Sequence, residues 1–204
     1  MKQVEVSRAT MGRIPTYLKY LKNTDHHTEN ISATTLAKAL GLGEVQVRKD
    51  LGAVSGAGRP KTGYNINELI ASLEKFLSLD ERSNVVIVGA GKLGRALLDY
   101  NGFQDYGLEI MAAFDIAVNK TEHSNSGKPI MSMDCFGNFC KNNDVKIGII
   151  TVPSQYAQEV CDRLITNGIR AVWCFAPCVL TVPSHIPVQY ENMALSLAYL
   201  NKRI

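Results

Sequence analysis

The chain has 204 residues, 46% of them hydrophobic, which suits one small and one medium domain with real cores. No apolar run approaches the roughly 18 residues of a membrane span, and no hydrophobic signal core follows the N-terminus. The sequence therefore predicts a cytoplasmic protein without a membrane partner. The five cysteines are odd in number and form no C-x-x-C pair, which argues against a disulfide framework and against a metal site.

The net charge of +3 is unevenly distributed along the chain. Residues 1–64 carry 10 basic and 5 acidic side chains, whereas residues 65–204 carry 12 basic and 14 acidic ones. A basic segment joined to a nearly neutral one indicates that the first part contacts a polyanion.

The first predicted element is a short helix that opens at Pro15 and runs to Leu21. Proline suits the opening turn of a helix because its missing N–H would have no partner there. The expected apolar stripe consists of Ile14, Tyr17, Leu18 and Leu21. The polar residues 22–30 predict a loop, whose His26 and His27 are expected to be solvated rather than bound to metal.

Two short helices joined by a glycine-containing turn are predicted next. Ser32 is the expected N-cap of the first helix, and Gly41-Leu42-Gly43 predicts its end. The second helix begins at Glu44, and the side chains expected to point inward are Val45, Val47 and Leu51. This helix-turn-helix pattern predicts DNA binding, since amide and basic side chains suit base edges and phosphates. The candidate DNA-binding residues of the second helix are Gln46, Arg48 and Lys49.

A glycine-rich hairpin follows, and its tip carries Arg59, Pro60 and Lys61. It resembles the wing of a winged helix, in which a basic tip lies along the DNA backbone or in the minor groove. Asn67 to Leu79 then predicts an amphipathic helix. The polar residues 80–84 are the expected domain boundary.

A strand-turn-helix-strand pattern spans Val85 to Asp115 and predicts a dinucleotide-binding unit. Three glycines give the turn its expected roles: Gly89 a tight bend, Gly91 close approach of a pyrophosphate, and Gly94 tight helix packing. Asp115 ends the second strand, 21 residues after the last glycine, where a carboxylate can accept hydrogen bonds from ribose hydroxyls.

The remaining residues alternate between predicted strands and helices, as in a doubly wound sheet. The expected strands lie near residues 129–131, 145–152, 169–175 and 188–190, separated by helices at 134–142 and 154–167. Residues 117–128 are expected to form a loop. Ligands of such sheets bind where the strands end, so four loops are expected to meet there: 89–94, 115–116, 152–154 and 175–177.

The last predicted helix, Met193 to Leu200, is apolar on nearly every side. Such a terminal helix favours burial against a second subunit, and a two-fold dimer suits a reader of palindromic DNA. No histidine lies at the end of a predicted strand, so we assign no catalytic residue and expect no enzyme activity. Cys174 is expected to be a buried apolar side chain rather than a reactive thiol.

The chain resembles the Rex family of bacterial redox-sensing repressors along essentially its whole length. The matching stretches include ISATTLAKALGLGEVQVRKDL (31–51), VIVGAGKLGRALLDYNGF (86–103), ITVPSQYAQEVCDRLITNGI (150–169) and FAPCVLTVP (175–183). The resemblance implies an N-terminal winged helix with its linker helix (1–82), a Rossmann domain for NAD(H) (83–190) and a domain-swapped dimerisation helix (191–204). It also implies a homodimer that binds palindromic operators of TTGTG…CACAA type and releases them when NADH replaces NAD.

Carried onto this chain, the resemblance implies that Asp115 holds the adenosine ribose. The pyrophosphate would be cradled by Gly89, Gly91, Leu93 and Gly94. The nicotinamide end would be lined by Val152, Pro153, Phe175, Ala176 and Pro177. The other residues expected to bind the cofactor are Ala90, Lys92, Tyr100 and Ile116. The carboxylate of Asp115 disfavours the 2′-phosphate of NADP by repulsion.

The chain departs from the family pattern at two positions. Many members carry Asn where this chain has Cys174, and many carry Asp at the start of the last helix, in a network with an arginine and a tyrosine. Arg13 and Tyr100 match that switch network, but Asn192 replaces its acid and cannot supply the charge. A repressor with an altered NADH response therefore stays open, as do an NAD-dependent oxidoreductase and a module that binds another nucleotide such as coenzyme A.

Overall fold

The computed structural model describes residues 6–23, 29–79 and 81–202, apart from the side chain of Ser196. The chain divides into two compact units. The first comprises Met1–Arg82 with Gln104–Gly107, and the second comprises Ser83–Phe103 with Leu108–Ile204. The loop with His26 and His27, predicted to be solvated, lies outside the described residues.

The first helix, α1, spans Arg8–Asn23 and begins well before the predicted start. The prediction that Pro15 opens this helix was wrong, because Pro15 lies inside it. The Ser7 side chain accepts a hydrogen bond from the Thr10 N–H at 3.0 Å and so supplies a cap that allows the earlier start. The stripe is as predicted, since its four apolar side chains are all buried: Ile14, Tyr17, Leu18 and Leu21.

The helix-turn-helix consists of α2 (Ala33–Leu40) and α3 (Glu44–Ser55). Ser32 caps α2 as predicted, accepting from the Thr35 N–H at 3.0 Å, and Gly41 ends it with φ of 65°. Val45 was wrongly expected to point inward, since it is 66% exposed. Helical geometry places Val47 and Leu51 on one face, both buried, and leaves Val45 on the other.

The hairpin after α3 and the strand before α2 form a small antiparallel sheet. Strand β1 (Asn30–Ile31) pairs with β2 (Tyr64–Asn65), and Arg59 pairs with Gly63 across the tip of the hairpin. The linker helix, α4, spans Ile66–Phe76 with the Asn65 side chain as its N-cap. One apolar core joins α1, α2, α3 and α4, so the first unit is a winged helix, as the sequence indicates.

The second unit is built on a seven-stranded sheet. Its strands are β3 (Ser83–Val88), β4 (Leu108–Asp115), β5 (Glu122–His123), β6 (Pro129–Ser132), β7 (Val145–Ile150), β8 (Ala171–Cys174) and β9 (Val188–Tyr190). Their order is β5-β6-β4-β3-β7-β8-β9, and all neighbours pair in parallel except β5 with β6. The short strand β5 corrects the expectation of a plain loop over 117–128.

The helices of the second unit are α5 (Lys92–Asp99), α6 (Phe136–Asn142), α7 (Ser154–Thr166) and α8 (Met193–Asn201). Alternate residues of β3 enter two separate cores: Val86 and Val88 pack in one, Val85 and Ile87 in the other. A sheet with an apolar core on each face is the doubly wound arrangement, which confirms the predicted fold class.

Helix α8 is apolar and exposed. The exposed fractions of Leu195, Leu197 and Tyr199 are 65%, 69% and 63%. Among the residues that the structure describes, no helix is both long enough and apolar enough to cross a membrane.

Candidate functional site

The carboxyl ends of four neighbouring strands meet at one edge of the large sheet. Val88 of β3 pairs with Phe114 of β4 and with Ile150 of β7, and Ile150 pairs with Cys174 of β8. The segments 89–94, 115–116 and 175–177 follow these residues directly, and the segment 152–154 follows Ile150 after one residue, Thr151. The structure therefore brings the predicted nucleotide-binding segments to the same edge.

Two glycines of the turn after β3 occupy positions that no larger residue would fit. Gly89 has φ of 105°, and a Cβ there would lie 2.9 Å from Oγ1 of Thr151. A Cβ on Gly94 would overlap the carbonyl oxygen of Gly89, so the first turn of α5 packs directly on the loop.

Gly91 differs from the other two glycines, because a Cβ there would meet nothing within 4 Å. Gly91 is also the N-cap residue of α5, and no side chain caps that helix. The start of α5 thus offers unobstructed backbone N–H groups, the usual environment of a bound phosphate. Of the neighbouring turn residues, Lys92 is exposed and Leu93 partly buried.

Asp115 connects the tip of β4 to the glycine turn. Its Oδ2 accepts a hydrogen bond from the Ala90 N–H at 2.7 Å, and its Oδ1 accepts one from the Ala117 N–H at 2.9 Å. A carboxylate has about four acceptor positions, so two stay available for ribose hydroxyls. Ile116, beside it, is 81% exposed.

Thr151 braces the turn from the neighbouring strand, a role that sequence reasoning missed. Its hydroxyl donates to the Gly89 carbonyl oxygen at 2.7 Å, and its backbone N–H donates to the Val88 carbonyl oxygen at 2.9 Å. A threonine after an apolar strand looks like an ordinary last strand residue. Only the adjacency of β3 and β7 gives it this partner.

The segments after β7 and β8 supply apolar walls. Val152 and Phe175 are partly buried, Ala176 is buried, and Pro153 and Pro177 are exposed. The Phe175 N–H donates to the Ile150 carbonyl oxygen at 3.0 Å, which ties the two segments together at the sheet edge.

A row of aromatic rings connects Phe175 to Tyr100 within the second unit. The ring centroids of Phe175 and Trp173 are 4.5 Å apart, those of Trp173 and Phe103 6.0 Å, and those of Phe103 and Tyr100 5.2 Å. Neither Trp173 nor Phe103 was predicted to lie near the site. Their contacts place Tyr100 at the far end of a packed row from the predicted nicotinamide wall.

Cys174 is fully buried, and burial raises the pKa of its thiol. A thiol of this kind is scarcely ionised near neutral pH and is poorly suited to nucleophilic chemistry. Over the described ranges, no cluster of three or more histidine, cysteine or acidic side chains could hold a metal ion.

The first unit presents its predicted DNA-contacting side chains to solvent. Gln46, Arg48 and Lys49 are exposed on α3, outside the buried face that carries Val47 and Leu51. Arg48 forms an ion pair with Glu44 one turn earlier.

The tip of the hairpin is exposed and basic. Arg59 and Gly63 exchange two backbone hydrogen bonds, of 2.7 and 2.9 Å, and Lys61 sits between them with φ of 63°. The predicted wing residues Arg59 and Lys61 therefore lie on a tight turn.

A buried carboxylate on α3, that of Asp50, holds α1 and α3 together. Arg13 donates to it from Nε at 2.7 Å and from Nη2 at 2.9 Å, and the Tyr17 hydroxyl donates to it at 2.7 Å. Asp50 is only 4% exposed, and sequence reasoning missed it. Its position in the sequence could have indicated burial, because it lies one residue before Leu51 and three after Val47 and so falls on the buried face of α3.

These hydrogen bonds perturb all three ionisable groups. Burial alone would raise the pKa of the Asp50 carboxyl, but the bonds from Arg13 and Tyr17 hold it below its ordinary value. The bond to Asp50 raises the pKa of Arg13, and burial followed by the bond to Asp50 raises the pKa of Tyr17 to about 12. Asn192, which belongs to the predicted switch network with Arg13 and Tyr100, caps α8 by accepting from the Leu195 N–H at 3.0 Å.

Two protein-family models match the chain. One, described as "CoA binding domain", covers residues 80–178, and one described as "Putative DNA-binding protein N-terminus" covers residues 5–52. A redox-sensing transcriptional repressor Rex from Treponema denticola is 38% identical over 98% of this chain and 95% of its own length. Its counterpart from Carboxydothermus hydrogenoformans is 35% identical over 100% and 99%. The chain belongs to the Rex family of redox-sensing transcriptional repressors.

Solved structures of a Rex-family repressor, RSP, have the same fold. The complex of RSP with NAD⁺ and operator DNA is 33% identical, covers 98% of this chain and 92% of its own, and superposes with a TM-score of 0.78. The complex of RSP with NADH is 33% identical, with coverages of 97% and 93% and a TM-score of 0.70. These relatives confirm the predicted Rex resemblance.

Proposed function

We propose that this Rex-family protein is a homodimeric repressor that binds a palindromic operator with its winged helices. In this proposal, NADH replaces NAD at the edge of the Rossmann sheet and releases the DNA. One observation carries the proposal: the unobstructed glycine turn, held by Asp115, lies in the same chain as a winged helix that exposes basic side chains on α3. Like its repressor-named relatives, it would have no enzymatic activity and would act where bacterial DNA lies, in the cytoplasm.

The environment of Asp115 favours NAD(H) over phosphorylated dinucleotides. Its carboxylate is fixed at the turn by the Ala90 N–H, so it would face the adenosine ribose of a nucleotide bound there. NADP carries a 2′-phosphate on that ribose and coenzyme A carries a 3′-phosphate, both of which a carboxylate repels. Ile116 and Ala117 follow, and neither supplies a cation to receive such a phosphate.

The apolar walls favour the reduced form of the cofactor. The nicotinamide ring is cationic in NAD⁺ and neutral in NADH, and an apolar pocket disfavours the charged ring through desolvation. Val152, Phe175 and Ala176 would supply such surroundings. A tenfold preference requires only about 1.4 kcal/mol.

Isothermal titration with NADH, NAD⁺, NADPH and coenzyme A tests the nucleotide part. We expect saturable binding of NADH and NAD⁺, tighter for NADH, and binding at least about tenfold weaker for the other two. Tight binding of coenzyme A alone would contradict the proposal and would favour the general nucleotide module. Hydride transfer from NADH to an added substrate would instead favour the oxidoreductase.

A second candidate is a repressor whose response to NADH is altered, which Asn192 favours. Its amide caps α8 but carries no charge, whereas an aspartate could both cap the helix and pair with an arginine. In gel-shift titrations, Asn192→Asp should therefore release the operator at a different NADH/NAD⁺ ratio. Asn192→Ser, which keeps a capping group without charge, should behave like the natural protein. Release of Asn192→Asp at the natural ratio would contradict this second candidate.

A further inference from the structure

We infer that Arg13 locks the side-chain amide of Gln46 so that α3 reads a DNA base through hydrogen-bond donors alone. The base preferred at that position is then guanine or thymine, whose major-groove edges present acceptors without an amino donor beside them, whereas adenine sets its N6 donor next to N7. This inference rests on the proposed DNA binding and concerns how one base pair is selected.

The guanidinium of Arg13 determines which end of the amide faces it. Arginine has five N–H donors and no acceptor, so the Gln46 atom beside it must be the amide oxygen. In that orientation the oxygen accepts from Nη1 of Arg13 at 2.8 Å and from Nη2 at 3.2 Å. Both lone pairs of the oxygen are then occupied.

Arg13 is itself held in place. Its Nε and Nη2 grip the two carboxylate oxygens of Asp50 at 2.7 and 2.9 Å, a bidentate arrangement that leaves little freedom of rotation. Tyr17, which is fully buried one turn further along α1, donates to one of the same oxygens. Arg13 is therefore a positioning residue, anchored in the core of the unit and directed at an exposed side chain of α3.

The locked amide changes what Gln46 can read. A free glutamine commonly recognises adenine with both ends of its amide, its oxygen accepting from N6 and its NH₂ donating to N7. Here the oxygen is occupied, and only the NH₂ group remains for a base. A donor alone matches O6 and N7 of guanine or O4 of thymine. At adenine it can reach only N7 and leaves the N6 donor without a partner, so the paired contact is lost.

The experiment first selects a duplex from a random pool with the full-length protein. It then measures the affinity of the protein for that duplex and for duplexes in which each half-site position carries, in turn, every other base pair. We expect Gln46→Met, which keeps the length of the side chain, to lose discrimination at one position per half-site, by about fivefold to tenfold. At that position the natural protein should prefer guanine or thymine. Gln155→Met, an exposed glutamine of α7 in the second unit, is the matched control and should change no preference.

Arg13→Lys supplies the second arm, because a lysine cannot form the bidentate pair that orients the amide. Its affinity for adenine at the Gln46 position should rise relative to guanine or thymine. The inference is overturned if Gln46→Met leaves every preference intact, if the natural protein prefers adenine at that position, or if a folded Arg13→Lys protein discriminates as before. Absence of any selected site would instead contradict the proposed function.

Discussion

At the scale of single residues, the carboxylate of Asp50 has the most consequential environment in the first unit. It lies in an apolar core, where an unpaired charge would cost several kcal/mol. Arg13 and Tyr17 offset that cost with three hydrogen bonds, two of them from a cation. The packing of α3 against α1 therefore depends on ionisation states as well as on apolar contacts.

Tyr17 should make the stability of the first unit sensitive to alkali. An unfolded tyrosine ionises near pH 10, whereas the pKa of Tyr17 is raised to about 12. Between those values deprotonation favours the unfolded chain, so the contribution is complete below about pH 10 and is lost as the pH rises through 12. Tyr17→Phe should cost about 1 to 2 kcal/mol at pH 7 and flatten the alkaline loss, as measured by urea unfolding followed by circular dichroism.

Tyr156→Phe, at an exposed position in the second unit, is the control and should leave the alkaline loss unchanged. An alkaline loss in Tyr17→Phe as steep as in the natural protein would show that Tyr17 does not cause it.

Gly91 should be dispensable for folding and required for the dinucleotide. A methyl group at this residue meets open space in the structure, so Gly91→Ala should fold with normal or slightly raised stability. The same methyl would occupy the approach of a pyrophosphate, and the affinity for NADH should fall by about tenfold or more. Gly12→Ala, also in open space but on α1, should leave NADH binding unchanged. Calorimetric titration of both variants with NADH measures this. If Gly91→Ala binds NADH as tightly as Gly12→Ala does, the phosphates bind elsewhere.

At the scale of elements, much of the architecture follows from periodicity and from turn residues. The 3.6-residue stripes predict α2, α3 and α4, and the almost wholly apolar run of β7 is typical of a central parallel strand. The start of α1 was predicted too late because Pro15 was placed in the opening turn, whereas the cap is Ser7. Strand β5 was missed because a two-residue pair has no pattern of its own. At the site, the predicted alternation of parallel strands and helices indicates which loops meet at the carboxyl edge of the sheet. The partners of Thr151 and Asp50 depend on tertiary adjacency that no local pattern contains.

Helix α3 should contribute measurable electrostatic binding energy to the DNA complex. Replacing Arg48 and Lys49 with alanine removes two exposed cations, so the plot of log affinity against log salt should lose about two units of slope. Fluorescence anisotropy with the selected duplex at several salt concentrations measures this. A matched double variant, Lys120→Ala with Lys141→Ala, removes two exposed cations of the second unit and should leave the slope unchanged. An unaltered slope for the α3 variant would assign DNA contact to another element.

At the scale of the whole molecule, α8 is the feature that a single chain does not explain. Its apolar side chains are exposed along its length, and an exposed apolar surface of this kind usually marks an interface. A second copy of the chain would bury it and would give the two-fold symmetry that a palindromic site requires. The proposed regulation acts on the conformation of such a dimer. A ligand shifts a conformational equilibrium only by its differential affinity for the two states, so NADH and NAD⁺ must differ in that respect.

Leu197→Glu should weaken the proposed dimer. A charge at a residue that is 69% exposed in the single chain costs little there but is expensive in an apolar interface. Light scattering coupled to size exclusion should show a shift from dimer toward monomer as the protein is diluted. Gln155→Glu introduces the same charge at an exposed position of α7 and should remain dimeric. If Leu197→Glu is as dimeric as this control, the interface does not involve that face of α8.

The most direct test of the account measures operator binding by the purified protein across a series of NADH/NAD⁺ ratios at constant total dinucleotide and constant salt. We predict tight binding when NAD⁺ predominates and loss of binding as NADH rises. Operator affinity that is the same at every ratio would contradict the account.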